Sequence, residues 1–178
     1  MAFSPDATQL ATIGAHIDIW DLATRQVIAT LTEHIQPVGN SSFLQFSPDG
    51  TLLASAGYDA RVILWDTTTW QSVRRLSGHE GRLVSLTFSP DGRRLVSCGT
   101  FDNCCNLWDV ETGQPLATFT GNTADFSPDG NTLAIGGYVP FQTPDTWPPE
   151  CTSVRLYRAS RSGGVSPPNI EWKVNDKD

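Results

Sequence analysis

The chain has 178 residues, about one domain's worth, with 39% apolar and 10% aromatic residues and a turn-rich complement of 15 glycines and 12 prolines. A formal net charge of -7 disfavours a nucleic-acid partner, because proteins that grip a phosphate backbone carry a basic face. No apolar run approaches the ~20 residues that span a membrane, and the opening Met1 to Asp6 has neither a basic leader nor an apolar signal core.

A cytoplasmic protein with no membrane partner is therefore expected. The arginine pairs Arg74-Arg75 and Arg93-Arg94 hold different places in the chain's repeat, so they build no basic stripe. Cys98, Cys104, Cys105 and Cys151 lack CxxC spacing, so neither a zinc site nor a thioredoxin-like site is expected. They read as buried, reduced thiols, and no cofactor is expected.

The chain repeats. A phenylalanine opens Ser-Pro-Asp segments at Phe3, Phe46, Phe88 and Phe126, with steps of 43, 42 and 38 residues. A tryptophan precedes aspartate at Trp20, Trp65 and Trp108, with steps of 45 and 43. This is the period of four-stranded propeller blades.

The first unit, 1–31, begins inside a strand: Met1-Ala2-Phe3 takes the place of Leu44-Gln45-Phe46. Its turn carries Ala7 where the other units carry glycine, and Gly14 stands where an aspartate is found in the next two units. His16 and Asp18 lie two apart on one strand with no third group in view, so they make no metal site.

The second unit, 32–76, is regular. Ser47-Pro48-Asp49-Gly50 suits a type I turn: serine at its first place, proline with φ preset at the second, glycine at the fourth. Thr51 to Ala56, Arg61 to Trp65 and Gln71 to Leu76 are predicted strands. Unit three, 77–119, repeats the pattern, and Thr24, Thr69 and Thr112 fall in register across the three units. By strand alternation Cys105 shares a face with Leu107 and belongs to the core, whereas Cys104 points the other way. A disulfide between these adjacent residues would be strained and is not expected.

Unit four, 120–158, keeps Phe126 to Gly130 but has Leu156-Tyr157-Arg158 where Leu-Trp-Asp stands elsewhere. It carries an insertion, 138–151, with four prolines and the large apolar residues Tyr138, Phe141 and Trp147. Prolines keep such a stretch out of a sheet interior. It reads either as a recognition arm or, preferably, as a loop folding its aromatics onto its own blade. The remainder, 159–178, is a Ser/Gly/Pro linker followed by Ile170 to Val174, whose alternation suits the last strand of the fourth unit.

As a set, Phe-Ser-Pro-Asp-Gly, Leu-Trp-Asp and Gly78-His79 resemble the marks of the WD-repeat β-propeller family, over all but the last twenty residues or so. The resemblance implies an all-β fold of about four blades of four antiparallel strands, forming an incomplete or open propeller. It also implies a hydrogen-bonded set in each regular unit: His34, Ser55, Asp59 and Trp65, then His79, Ser97, Asp102 and Trp108. His, Ser and Asp could form a nucleophilic triad, but that needs an exposed nucleophile and an oxyanion site. A structural role, with each buried polar group satisfied, is the stronger expectation. Ser97 lies five residues before its Asp whereas Ser55 lies four before, so a bulge is expected to threaten the third unit's set.

The family implies a non-catalytic scaffold that binds proteins through its loops. Tyr58 and Phe101 stand just before the turn aspartates, and aromatics anchor interfaces. Glu80 and Arg82 follow His79. These four and the insertion aromatics are the candidate contacts with a protein partner. Four blades that do not close leave two apolar faces open. Two further expectations follow: self-association through those faces, or a chain that is the C-terminal part of a longer propeller protein with no independent function. Catalysis on the propeller scaffold is the remaining, disfavoured alternative.

Overall fold

The Ser-Pro-Asp segments act as local folding instructions. In the computed structural model, which describes residues 1–34, 43–138, 152–159 and 172–174, Gly50 N donates to Ser47 O at 2.9 Å. The Asp49 carboxylate accepts from Ser47 Oγ at 2.6 Å and Thr51 N at 3.1 Å. Gly50 then turns left-handed at φ 74°, which starts the next strand. Ala7 adopts the same conformation at φ 56°.

Each such turn joins the first two strands of a four-stranded antiparallel sheet. Blade 1 is β1 (Ala2–Phe3), β2 (Gln9–Ile13), β3 (Ile17–Asp21) and β4 (Gln26–Leu31). Blade 2 is β5 (Phe43–Phe46), β6 (Leu52–Ala56), β7 (Arg61–Asp66) and β8 (Ser72–Ser77). Blade 3 is β9 (Leu83–Phe88), β10 (Arg94–Gly99), β11 (Cys104–Asp109) and β12 (Pro115–Thr120). Blade 4 is β13 (Thr123–Phe126), β14 (Thr132–Tyr138), β15 (Thr152–Ala159) and β16 (Trp172–Val174). In every blade the strands lie side by side in chain order.

The third turn of each unit explains the threonine register. Asp21, Asp66 and Asp109 accept from the amides and hydroxyls of Thr24, Thr69 and Thr112 at 2.6 to 3.0 Å. The residue after each threonine, Arg25, Trp70 or Gly113, takes a positive φ and donates its amide to the same aspartate's carbonyl.

The core lies between blades. Ala11, Ile17, Ile19 and Leu31 of blade 1 meet Phe46, Leu53, Ile63 and Trp65 of blade 2. Val62, Leu64 and Leu76 of blade 2 meet Phe88, Leu95 and Trp108 of blade 3. Val96, Cys105 and Leu107 of blade 3 meet Phe126, Leu133 and Tyr157 of blade 4. Four blades therefore share three cores among the described residues, and the array is open. Because β7 is covered on both faces, Val62 to Trp65 are all buried and read as a continuous apolar run rather than an alternation. The outer strands β8 and β12 are largely exposed. There Arg75 pairs with Glu33 at 2.9 Å and the Arg74 guanidinium donates to Glu111 O at 2.7 Å, so neither arginine joins a basic face.

Two expectations are corrected here. Cys98 and Cys105 are joined by a disulfide rather than standing as reduced thiols. The two residues face each other directly in the β10–β11 register, a cross-strand relation that spacing motifs do not encode. Cys105 is fully buried, as alternation predicts. Cys104 is free and half-buried. Burial pushes its thiol pKa up, and the Asp102 and Glu80 carboxylates push it further.

The second correction concerns the bulge expected near Ser97. The β9–β10 ladder does shift register where Cys98 pairs with Ser85 and Gly99 with Leu83, but the surplus residue is Val84 of β9. The extra residue before Asp102 lies in the β10–β11 turn, which runs from Cys98 to its partner Cys105 where the blade 2 turn runs from Ala56 to Val62, and Ser97 keeps its register, opposite Leu86 and Asn106.

Candidate functional site

Two kinds of polar grouping occur in the regular blades: buried ones that tie strands together, and a partly exposed one at the loop end. In blade 2, Trp65 Nε1 donates to Ser55 Oγ at 2.8 Å. Ser55 Oγ lies 2.9 Å from His34 Nε2, and His34 Nδ1 lies 3.0 Å from both Asp59 oxygens. A neutral histidine with its proton on Nδ1 lets every donor in this chain meet an acceptor. The chain joins β6, β7, the segment before β5 and the turn after β6.

Blade 3 repeats it. Trp108 Nε1 donates to Ser97 Oγ at 2.8 Å, Ser97 Oγ lies 2.9 Å from His79 Nε2, and His79 Nδ1 lies 2.7 Å from Asp102 Oδ2. Two further residues join here that sequence reasoning missed. Asn106 Nδ2 sits 3.3 Å from His79 Nε2, and Thr118 Oγ1 donates to Asn106 Oδ1 at 2.7 Å. The signal was an asparagine in an otherwise apolar strand, at the place Ile63 takes in blade 2.

The outer blades reduce the set. Trp20 Nε1 donates to Thr12 Oγ1 at 2.9 Å in blade 1. In blade 4, Ile135 and Tyr157 hold the Ser and Trp places of the register, and Tyr157 packs on Phe119 with ring centroids 4.4 Å apart.

These groupings offer no reaction site. Ser55 and Ser97 are fully buried, so neither hydroxyl meets a substrate carbonyl. Among the described residues no group of three His, Cys, Asp or Glu is placed to hold a metal ion.

The loop end is different. The segment 79–83 runs between the turns of blades 2 and 3. Leu83 N donates to Gly57 O, and Thr100 N to Arg82 O at 3.2 Å. This brings together residues far apart in sequence. Arg82 Nη1 donates to Tyr58 Oη at 3.2 Å, and the Arg82 guanidinium lies 5.6 Å from the Tyr58 ring centroid. Phe101 lies on Gly81, where a Cβ would meet Phe101 Cδ2 at 2.6 Å. Glu80 is exposed beside them, its amide donating to Asp102 Oδ2 at 3.2 Å. Tyr58 is 39% exposed and Phe101 80%. Tyr138 ends β14, while Phe141 and Trp147 lie outside the described residues.

Repeated four-stranded blades that share inter-blade cores, with Ser–His–Asp–Trp ties, define a β-propeller array. The chain belongs to the WD-repeat family: residues 25–66 and 70–109 match the model of the WD domain, G-beta repeat. It is 30% identical over 129 residues to the WD repeat-containing protein WDS homolog of Arabidopsis thaliana, covering 67% of this chain and 24% of that protein. It is 37% identical over 92 residues to Actin-interacting protein 1 of Drosophila melanogaster, covering 48% of this chain and 15% of that protein. The chain thus matches a quarter or less of the length of these relatives. Protein-interaction scaffold is the kind of role these similarities indicate.

Proposed function

We propose that the chain is a non-catalytic scaffold that captures a protein partner on the loop end of blades 2 and 3. The observation that carries this reading is the pairing of two exposed aromatics, Tyr58 and Phe101, on either side of the 79–83 segment. Both sit on turns whose aspartates are held by buried histidines, so each ring is presented from a rigid base. Aromatic anchors beside an arginine are the composition that dominates binding energy at interfaces. Exposed Glu80 and the Arg82 guanidinium supply a polar rim.

The test is partner capture by the 178-residue chain against the double variant Tyr58→Ala plus Phe101→Ala. The double variant is expected to lose the captured protein while its circular dichroism melt stays the same, because neither ring belongs to a core. Undiminished capture at an unchanged melt removes these residues from the interface.

A further inference from the structure

Phe3, Phe46, Phe88 and Phe126 hold one position in four repeats, yet their exposures differ. Phe46, Phe88 and Phe126 are 6%, 5% and 8% exposed, and Phe3 is 59% exposed. The difference is the neighbour. Phe46, Leu53 and Trp65 share a cross-strand row of blade 2, and that row is buried on blade 1. Phe3, Leu10 and Trp20 form the same row in blade 1. Leu10 and Trp20 are only half-buried.

The other end of the array shows the complementary face. Val154 and Leu156 pair with Gly136 and Ala134 in blade 4, as Val62 and Leu64 pair with Ala56 and Ala54 in blade 2. Val62 and Leu64 are 1% and 0% exposed against blade 3, whereas Val154 and Leu156 are 65% and 43% exposed.

Among the described residues, blades 1 and 4 therefore expose one face of each kind, and these two kinds pack on each other at all three junctions between blades. At each junction the aromatic row of one blade meets the aliphatic row of the blade before it. Two aromatic rows never meet.

We infer that two copies of this chain associate head to tail, the Val154/Leu156 face of one docking on the Phe3/Leu10/Trp20 face of the other. The occupant is specified by the three junctions already built from the same rows. The contact is heterologous, and a second one between the same two copies closes a ring of eight blades, within the range of about four to eight that propellers use. This interface uses blade faces, so it stands apart from the loop-end reading above.

The experiment is the solution mass of the 178-residue chain by size-exclusion chromatography with light scattering, with Phe3→Asp, Leu156→Asp and their equimolar mixture. The wild type is expected at about twice 19.4 kDa, and each variant at the monomer mass. The mixture is expected to regain a 1:1 pair, because Phe3→Asp keeps its Val154/Leu156 face and Leu156→Asp keeps its Phe3 face. Circular dichroism melts show that both variants fold, and Val154→Asp replaces Leu156→Asp if that one does not. A monomeric wild type overturns the inference and leaves both faces to blades outside these 178 residues. Variants that pair as the wild type does, or a mixture that stays monomeric, overturn it equally.

Discussion

Trp108 Nε1 and Ser97 Oγ lie 2.8 Å apart, the same separation as Trp65 Nε1 and Ser55 Oγ, although Ser97 stands one residue further from its aspartate. The β10–β11 turn takes up the difference, since Cys98 pairs with Cys105 where Ala56 pairs with Val62. The polar chain is thus kept in register by a longer turn, with the β10–β11 ladder unbroken. A buried indole N–H and imidazole nitrogen left unpaired would cost more than one added turn residue.

Removing the shared hydroxyl tests this. Ser97→Ala leaves Trp108 Nε1 without its acceptor inside the core and His79 Nε2 with only the longer Asn106 Nδ2 contact at 3.3 Å from a side chain. The expected loss is about 1–3 kcal/mol. Thr12→Ala removes only the partner of half-buried Trp20, which water can replace, so its expected loss is smaller, about 0.5–1.5 kcal/mol. Denaturant midpoints of the two variants give the order. Equal losses would mean that burial does not set the value of this bond.

How much of this was legible follows from where the determinants sit along the chain. The Ser-Pro-Asp-Gly turns and the Asp–Thr turns are written in contiguous residues, so the blades and their strands could be read directly. The set of His34, Ser55, Asp59 and Trp65 was legible only through family resemblance, since its members come from four different segments. The Cys98–Cys105 bond and the Asn106–Thr118 addition were not legible. Both depend on which residues face each other across a hairpin, and a one-residue shift changes every such pair. Exposure at Phe3 was also unreadable in the motif itself, because burial of this row is set by a blade packing in front of it, as blade 1 does for Phe46, and not by the strand.

The disulfide gives a second prediction. Closing a loop of seven residues' separation confines the unfolded chain, worth about 2–3 kcal/mol in the chain-entropy treatment. Reduction of the folded protein should lower its melting temperature by roughly 5–10 °C at this size. Intact mass after alkylation without reduction should show two fewer alkyl groups than after reduction. Equal labelling in the two samples would rule the bond out. The raised Cys104 pKa makes that thiol a slow nucleophile near neutrality, with labelling that speeds up as pH rises.

Ala7 offers a gain. It sits at φ 56° where Gly50, Gly92 and Gly130 sit at 74°, 70° and 69°. A Cβ in the left-handed region is disfavoured by about 1–2 kcal/mol, partly offset by the extra freedom glycine has when unfolded. Ala7→Gly should therefore stabilise blade 1 by roughly 0.5–1 kcal/mol, seen as a melting temperature higher by about 1–4 °C. A lower melting temperature would show that the Asp6 contacts hold this turn whatever residue follows.

The turn aspartates predict the acid limb of stability. The Ser127 hydroxyl, then the Asn131 amide, push the Asp129 pKa down to about 2. Asp6 and Asp49 are lowered by Ser4 and Ser47 in the same way. At Asp91 burial pulls upward, but the Ser89 hydroxyl and the Arg93 amide outweigh it. A carboxylate whose folded pKa lies below its unfolded value of about 3.9 binds its proton more readily when unfolded. Its contribution to stability is fully present above about pH 4 and is lost as pH falls through the folded pKa. The melting temperature should therefore change little from this source between pH 7 and pH 5, then fall steeply between about pH 4 and pH 2. Asp129→Asn removes one titrating group, so it should start lower at pH 5 and show a shallower fall. A parallel pair of curves for wild type and variant would mean that the Ser127–Asp129 contact does not couple the turn to folding.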